Sequence, residues 1–308
     1  MSHIYIYSPS SAVRDKAAFR RGVKLLQRQG HEVEIDPSAL ESHMRFAGDD
    51  ATRVAAVGRA AASGADVALI TRGGYGLTRI LPELPYKALA RAVEKGTRFV
   101  GLSDFTALQC ALMAKTGSVT WAGPALGEDF GAETPDDIMQ ACFDDLLQGQ
   151  GEGAGWVLPR GDLSCLPAPV QDGGAWHLRK GLLWGGNLTV LCSLVGTPWL
   201  PAVKGGVLFL EDVNEHPYRI ERQLTQLLHA GILAQQKLVV LGSFNRFKTV
   251  PHDRGFKLQT VVDWLRGRLR TPVLTGLPFG HVPTKVLLPV GLPVEVMVQG
   301  RDALLFWG

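Results

Sequence analysis

The segment ADVALITRGGYG, residues 65–76, predicts a buried strand that ends abruptly in a glycine-rich turn. Val67–Thr71 is a short apolar run without polar alternation, the pattern of a strand covered on both faces and hence of a parallel sheet. The loop Arg72-Gly73-Gly74-Tyr75-Gly76 follows it directly, and glycine there lets the backbone approach a neighbour or an anion closely. On the N-terminal side lies an Ala-rich helix that Asp50 can cap and Gly64 closes. On the C-terminal side a helix (Tyr86–Lys95), a strand (Arg98–Gly101), a helix (Thr106–Lys115) and a strand (Val119–Ala122) succeed one another.

The N-terminus has the same rhythm: strand Ile4–Tyr7, helix Val13–Gln29 ended by Gly30 at C′, strand His31–Ile35. Strands alternating with helices of this length predict βαβ units and an α/β lobe of Rossmann or flavodoxin type. The Gly-rich stretch Gln148–Gly155 reads as a linker. Beyond it come strand-like Trp176–Leu178, the run Leu182–Leu188, an apolar strand Val207–Leu210, an amphipathic helix with Ile220, Leu224, Leu227 and Leu228 on one face, strand Lys237–Gly242 and helix Leu258–Leu269. Val286–Leu288, Val294–Val298 and Ala303–Trp307 read as short antiparallel strands. The expectation is an N-terminal α/β domain over 1–147, a linker over 148–175, and a C-terminal mixed α/β domain, rich in β, over 176–308, with the active site in a cleft between the lobes.

Composition narrows the function classes. The 308 residues are 46% hydrophobic and 20% charged, and the net charge of +3 is too small to imply a nucleic-acid or membrane partner by field alone. Cys110, Cys142, Cys165 and Cys192 form no CxxC pair and read as reduced residues of a cytoplasmic protein. No apolar run approaches the 18 or so residues a spanning helix needs. The first strand–helix turn, Ser8-Pro9-Ser10-Ser11, has no glycine, so the dinucleotide fingerprint is absent; no phosphate-cradling P-loop and no HExxH occur either. Neither a metal nor a cofactor is expected.

Ser103 stands where the apolar strand of Val100-Gly101-Leu102 gives way to a helix. A serine at such a turn presents its Oγ at the sheet edge, and the next amide, that of Asp104, points into the same space. The hydrolase pattern GxSxG is not met, since Phe105 lies two residues on, and from spacing alone the simpler reading is that Ser103 or Asp104 caps the next helix. Glu211 follows Val207–Leu210 within Glu211-Asp212-Val213-Asn214-Glu215, either as an orienting acid or as one of several solvated loop carboxylates. His281 sits beside Gly280, either as a base or as a structural histidine. The order Ser…Glu…His matches a known nucleophile–acid–base order.

Arg72-Gly73-Gly74-Tyr75-Gly76, Gly101-Leu102-Ser103-Asp104-Phe105-Thr106, Gly185-Gly186-Asn187-Leu188, Leu210-Glu211-Asp212 with Tyr218-Arg219-Ile220-Glu221-Arg222, and Phe279-Gly280-His281 occur in the order found in the LD-carboxypeptidase family. The resemblance runs over nearly the whole chain. It implies a serine carboxypeptidase that removes terminal D-alanine from murein tetrapeptides, with Ser103 as nucleophile, His281 as general base and acid, and Glu211 orienting His281. It also implies an oxyanion hole from the backbone N–H groups of Gly74 and Asp104, and a cytoplasmic homodimer. Asn187 reads as a loop-fixing residue before a substrate contact. Leu102 and Pro85 depart from the family's usual Tyr and Asp. Two alternatives stand beside this: an immunity-type peptidase acting on aminoacyl- or peptidyl-nucleotide antibiotics, with Ala154–Trp176 as room for an aromatic loop, and a two-lobed small-molecule-binding module without chemistry.

Overall fold

The computed structural model describes residues 1–167 and 174–307. The chain divides into two compact units. The first comprises Met1–Gly151, Thr197–Pro201 and Pro283–Gly291, and the second the remaining described residues. Among the described residues no helix is long and apolar enough to cross a membrane.

The first unit is built on a six-stranded sheet. Its strands are β1 (His3–Tyr7), β2 (Glu32–Ile35), β3 (Val67–Ile70), β4 (Arg98–Gly101), β5 (Thr120–Ala122) and, from far along the chain, β11 (Leu288–Val290). The order is β11-β5-β4-β3-β1-β2, parallel throughout except for antiparallel β11 against β5. The 2-1-3-4-5 order is flavodoxin-like and reverses direction at β1/β3, where loops at the strands' carboxyl ends form ligand sites. All four residues of β3 are buried, whereas edge strand β2 (EVEI) is largely exposed. Phe19, Leu69, Val100, Phe130 and Phe143 centre the core beneath the sheet, with Phe130 and Phe143 edge to face at 4.9 Å.

Helix termini follow local chemistry. Asp15 accepts hydrogen bonds from the amides of Ala17 and Ala18 and opens α1 (Lys16–Arg28). The cap of α2 (Asp50–Ala62) is Asp49, one residue before the expected Asp50, and it accepts from the Thr52 amide at 2.8 Å. Asp50 is thereby released to pair with Arg53 and Arg79.

The second unit carries a seven-stranded mixed sheet of order β10-β9-β8-β7-β12-β13-β6. Here β7 (Ala175–Asn187), β8 (Val207–Val213), β9 (Leu238–Asn245) and β10 (Val273–Thr275) run parallel, and β12 (Pro293–Gln299), β13 (Asp302–Phe306) and β6 (Gly153–Val157) add antiparallel. Strand β6 falls in the stretch expected as a linker, of which residues 168–173 lie outside the described residues. A Cβ on Gly153 would stand 2.6 Å from the Leu305 carbonyl oxygen, so this glycine reflects close strand pairing as well as a loop-prone composition. The expected strand Val286–Leu288 is displaced to Leu288–Val290 and belongs to the first unit's sheet.

Candidate active site

Three loops at the carboxyl ends of β1, β3 and β4 meet in the first unit. Ser103 begins the turn after β4 with φ +64°, the left-handed region that a residue with a Cβ enters only at a cost. The following helix, α3 (Thr106–Thr116), has Phe105 at its N-cap, a residue that supplies no side-chain hydrogen bond. Gly73 packs on the serine: a Cβ there would lie 2.6 Å from the Cβ and 2.8 Å from the Oγ of Ser103. Gly74 is solvent-exposed with φ +108° and faces Ser11, whose Oγ would be 2.3 Å from an added Cβ. Glycine at these two positions is therefore a steric requirement of the turn.

The carboxylate of Asp104 joins the three loops. Its Oδ2 accepts from the Ser10 hydroxyl at 2.8 Å and from the Leu77 amide at 2.9 Å. Burial drives this carboxyl above the usual range, against the hydrogen bonds that favour its ionised form. Arg53, fully buried, donates to the Gly76 carbonyl at 2.7 Å, and Ser11 Oγ accepts from the Tyr75 amide at 3.0 Å. The glycine loop is thus pinned by buried polar groups on both flanks.

The second unit gathers the acid and the histidine. His281 Nδ1 lies 2.7 Å from Glu211 Oε2, with their side chains 8% and 1% exposed. A carboxylate only accepts, so the imidazole proton sits on Nδ1 and Nε2 is left as the basic nitrogen. Glu211 Oε1 accepts from Asn187 Nδ2 at 3.1 Å, and the same Nδ2 donates to Asp212 Oδ1 at 3.0 Å. Asn187 Oδ1 accepts from the Val190 amide and caps α4 (Leu188–Ser193), which fixes the side chain's orientation.

Two consecutive carboxylates are both buried because β8 is covered on both faces, and a register shift against β9 between Leu210 and Asp212 interrupts the alternation where both accept from Asn187 Nδ2. Glu211 and Asp212 are therefore strand residues, 0% and 3% exposed, and not solvated loop acids. Asp212 accepts from the amide and hydroxyl of Thr189; burial and the neighbouring Glu211 charge push its carboxyl up. Gly280, with φ +134°, brings the histidine loop against the acid, since a Cβ there would be 3.2 Å from Glu211 Oε2. Asn245 Nδ2 donates to the His281 carbonyl at 2.9 Å and holds the loop to β9.

The structure thus brings Glu211, His281 and Asn187 together in the second unit, and Ser103, Asp104 and the glycine loop together in the first. Gly73, Ser10, Arg53, Asp212 and Asn245 support these clusters without having been singled out in the sequence. Only the adjacency of Asp212 to Glu211 and of Gly73 to Gly74 was a local signal. Among the described residues no group of three His, Cys, Asp or Glu is assembled as a metal site. Burial raises the Cys110 and Cys192 thiols to about 12, which makes either a poor nucleophile.

Residues 4–123 match the model of the LD-carboxypeptidase N-terminal domain, and residues 180–296 that of the LD-carboxypeptidase C-terminal domain. The fold superposes with a TM-score of 0.86 on the crystal structure of a muramoyltetrapeptide carboxypeptidase from Oxalobacter formigenes, 38% identical, covering 100% of this chain and 99% of that one. The Bacillus subtilis (strain 168) protein named "Probable murein peptide carboxypeptidase" is 28% identical over 281 residues, 91% of this chain and 84% of its own. The Microcin C7 self-immunity protein MccF of Escherichia coli is 26% identical over 321 residues, 96% of this chain and 90% of its own. With a strained serine turn, a buried acid–histidine pair and matches along both units, the chain belongs to the LD-carboxypeptidase family.

Proposed function

We propose that the protein is a serine LD-carboxypeptidase that releases terminal D-alanine from murein tetrapeptides, with Ser103, His281 and Glu211 as its triad. The observation that carries the reading is the Glu211–His281 contact at 2.7 Å, which leaves Nε2 of a nearly buried imidazole as a base. His281 takes the Ser103 proton as Oγ attacks the carbonyl of the diamino acid that precedes D-alanine. The backbone N–H groups of Gly74 and Asp104 hold the oxyanion; losing one such donor costs roughly 100- to 1000-fold in rate. The imidazolium, stabilised by Glu211, protonates the departing amine, and water then releases the acyl-enzyme. Asp104 acts in this scheme through its amide, its side chain being committed to Ser10 and Leu77. We expect the enzyme to work in the cytoplasm as a homodimer, on peptides recovered from the cell wall.

The Oxalobacter formigenes relative, 38% identical, favours murein peptides over the antibiotic substrates suggested by the MccF likeness at 26%. The test is mass spectrometry of murein tetrapeptide incubated with wild type and with Ser103→Ala. Loss of one alanine by wild type alone supports the reading. No loss with folded wild type refutes it and turns the search to aminoacyl-nucleotides.

A further inference from the structure

A carboxypeptidase must distinguish a chain end from a chain interior, and neither the triad nor the oxyanion donors do so. The first unit contains an arginine with unused capacity for this. The Arg72 side chain is only 17% exposed, yet its five N–H donors have two partners among the described residues. The Ala12 carbonyl is 3.4 Å from Nη1, and the half-exposed Glu128 carboxylate is 3.9 Å from Nη2. By contrast Arg59, more exposed, forks onto Asp36 at 2.8 and 2.9 Å. A largely covered guanidinium so weakly matched favours an incoming anion. Burial, aided by the nearby Arg14 and Arg45 and opposed by the Glu128 charge, lowers the Arg72 pKa, so the cation lacks full compensation where it sits.

The position suits a substrate group. A recess of about 270 Å³ opens between Arg72, Arg14, Thr71 and Phe19, with Asp15 and Glu128 at its rim. Asp15 Oδ1 is already engaged in capping α1. Arg72 Nη1 would stand 3.3 Å from a Cβ on Gly74, while neighbouring Gly73 packs directly on Ser103. One loop therefore touches the serine with one residue and the guanidinium with the next. A peptide's terminal carboxylate lies one residue, roughly 3.5 Å of chain, beyond the carbonyl under attack.

We propose that Arg72, assisted by Arg14 at the rim, grips the free C-terminal carboxylate of the residue to be released and thereby restricts the enzyme to chain ends. This rests on the peptidase reading above. The planar fork of arginine pairs a carboxylate with two parallel charge-assisted hydrogen bonds, which a lysine cannot reproduce.

The test uses the full chain with Ser103→Ala, so that binding is read without turnover. Calorimetry compares a murein tetrapeptide ending in D-alanine with the same peptide ending in D-alaninamide. The acid should bind roughly 100-fold more tightly than the amide. Adding Arg72→Ala should bring the ratio close to one, Arg72→Lys should restore roughly tenfold, and Arg14→Ala, at an exposed position, should lower the ratio only a few-fold. Melting curves confirm that each variant is folded, and Arg14→Ala keeps the test alive if the Arg72 variants are not.

An acid-to-amide ratio near one in Ser103→Ala, or one unchanged by the Arg72 and Arg14 substitutions, overturns the inference. A second peptide pair, with lysine in place of diaminopimelate, separates the other carboxylate source. If Arg72→Ala abolishes that discrimination and leaves the acid-to-amide ratio intact, Arg72 reads the diamino acid's side chain and the inference fails. Wild type that releases no D-alanine refutes the peptidase reading, and the binding ratio still decides the grip.

Discussion

Replacing Glu211 by glutamine preserves shape and removes one charge, and the surrounding hydrogen bonds determine how the site responds. In the wild type both Glu211 oxygens accept, one from Asn187 Nδ2 and one from His281 Nδ1. A glutamine must turn its NH2 toward one of them. Facing Asn187 would set donor against donor, and Asn187 cannot reverse without surrendering its bonds to the Val190 amide and Asp212. Those two bonds are worth about 1 kcal/mol each, and groups left unpaired in this buried place add about 1–3 kcal/mol more. The amide NH2 therefore faces His281 Nδ1, and the imidazole proton moves to Nε2, where it blocks base catalysis. A gap of about 3–5 kcal/mol leaves the competent tautomer at roughly one part in 150 to 5000. Together with the lost stabilisation of the imidazolium, kcat for D-alanine release should fall by about 10³–10⁴. Nitrogen-15 NMR of the His281 ring reads the tautomer directly, independent of turnover, and a melting curve checks the fold. A folded Glu211→Gln protein that keeps its proton on Nδ1, or retains more than about a tenth of kcat, would refute this account.

Ser103→Gly and Ser103→Ala should both abolish turnover, but Gly should melt no lower than Ala, because φ +64° charges a Cβ about 1–2 kcal/mol. At an ordinary helical position glycine would instead be about 1 kcal/mol worse. Gly73→Ala drives a methyl to within 2.6–2.8 Å of Ser103, and should lower kcat at least roughly tenfold and stability by about 1–3 kcal/mol, read by kinetics and thermal melting. Burial opposes ionisation of Asp36, but bonds from Arg59, Ser38 and Tyr5 outweigh it and hold the carboxyl at about 2. Because that value lies below the unfolded one, its stabilisation is present above about pH 4 and lost as pH falls through about 2. Asp36→Asn should therefore cost about 2 kcal/mol near neutrality in urea denaturation, a difference that closes on acidification.

The parallel strands were legible because burial on both faces forces an uninterrupted apolar run, as in Val67–Ile70 and Val207–Leu210. Strand β6 was not, because Gly-Ala-Gly-Trp-Val has a loop's composition and becomes a strand only through pairing with β13, about 150 residues on. Nor could Leu288-Pro289-Val290 declare which sheet it would join, since its partner Thr120–Ala122 is equally remote. Asp49 and Asp50 are chemically interchangeable as caps, and the backbone chose the first. Ser103 and Glu211 were visible as strand-end residues and His281 as a histidine beside a glycine, but the roles proposed for them rest on the ordered resemblance and not on spacing. The irregularity at which Glu211 and Asp212 come to share Asn187 leaves no trace in composition, because it lies in strand register.

The late arrival of β11 has a consequence for synthesis on the ribosome. Residues 1–151 emerge with β5 as an open sheet edge and with the buried Asp129 lacking the ammonium of Lys285, its ion-pair partner in the finished protein. Residues 283–291 follow about 130 positions later, which at typical elongation rates is a delay of roughly 7–30 s. Throughout that interval the nascent N-terminal sheet carries an uncompensated buried acid and a strand edge open to foreign pairing. A message truncated anywhere before codon 283 yields a product marked for chaperones or proteolysis, so polypeptides lacking residues 283–308 are selected against by the fold itself.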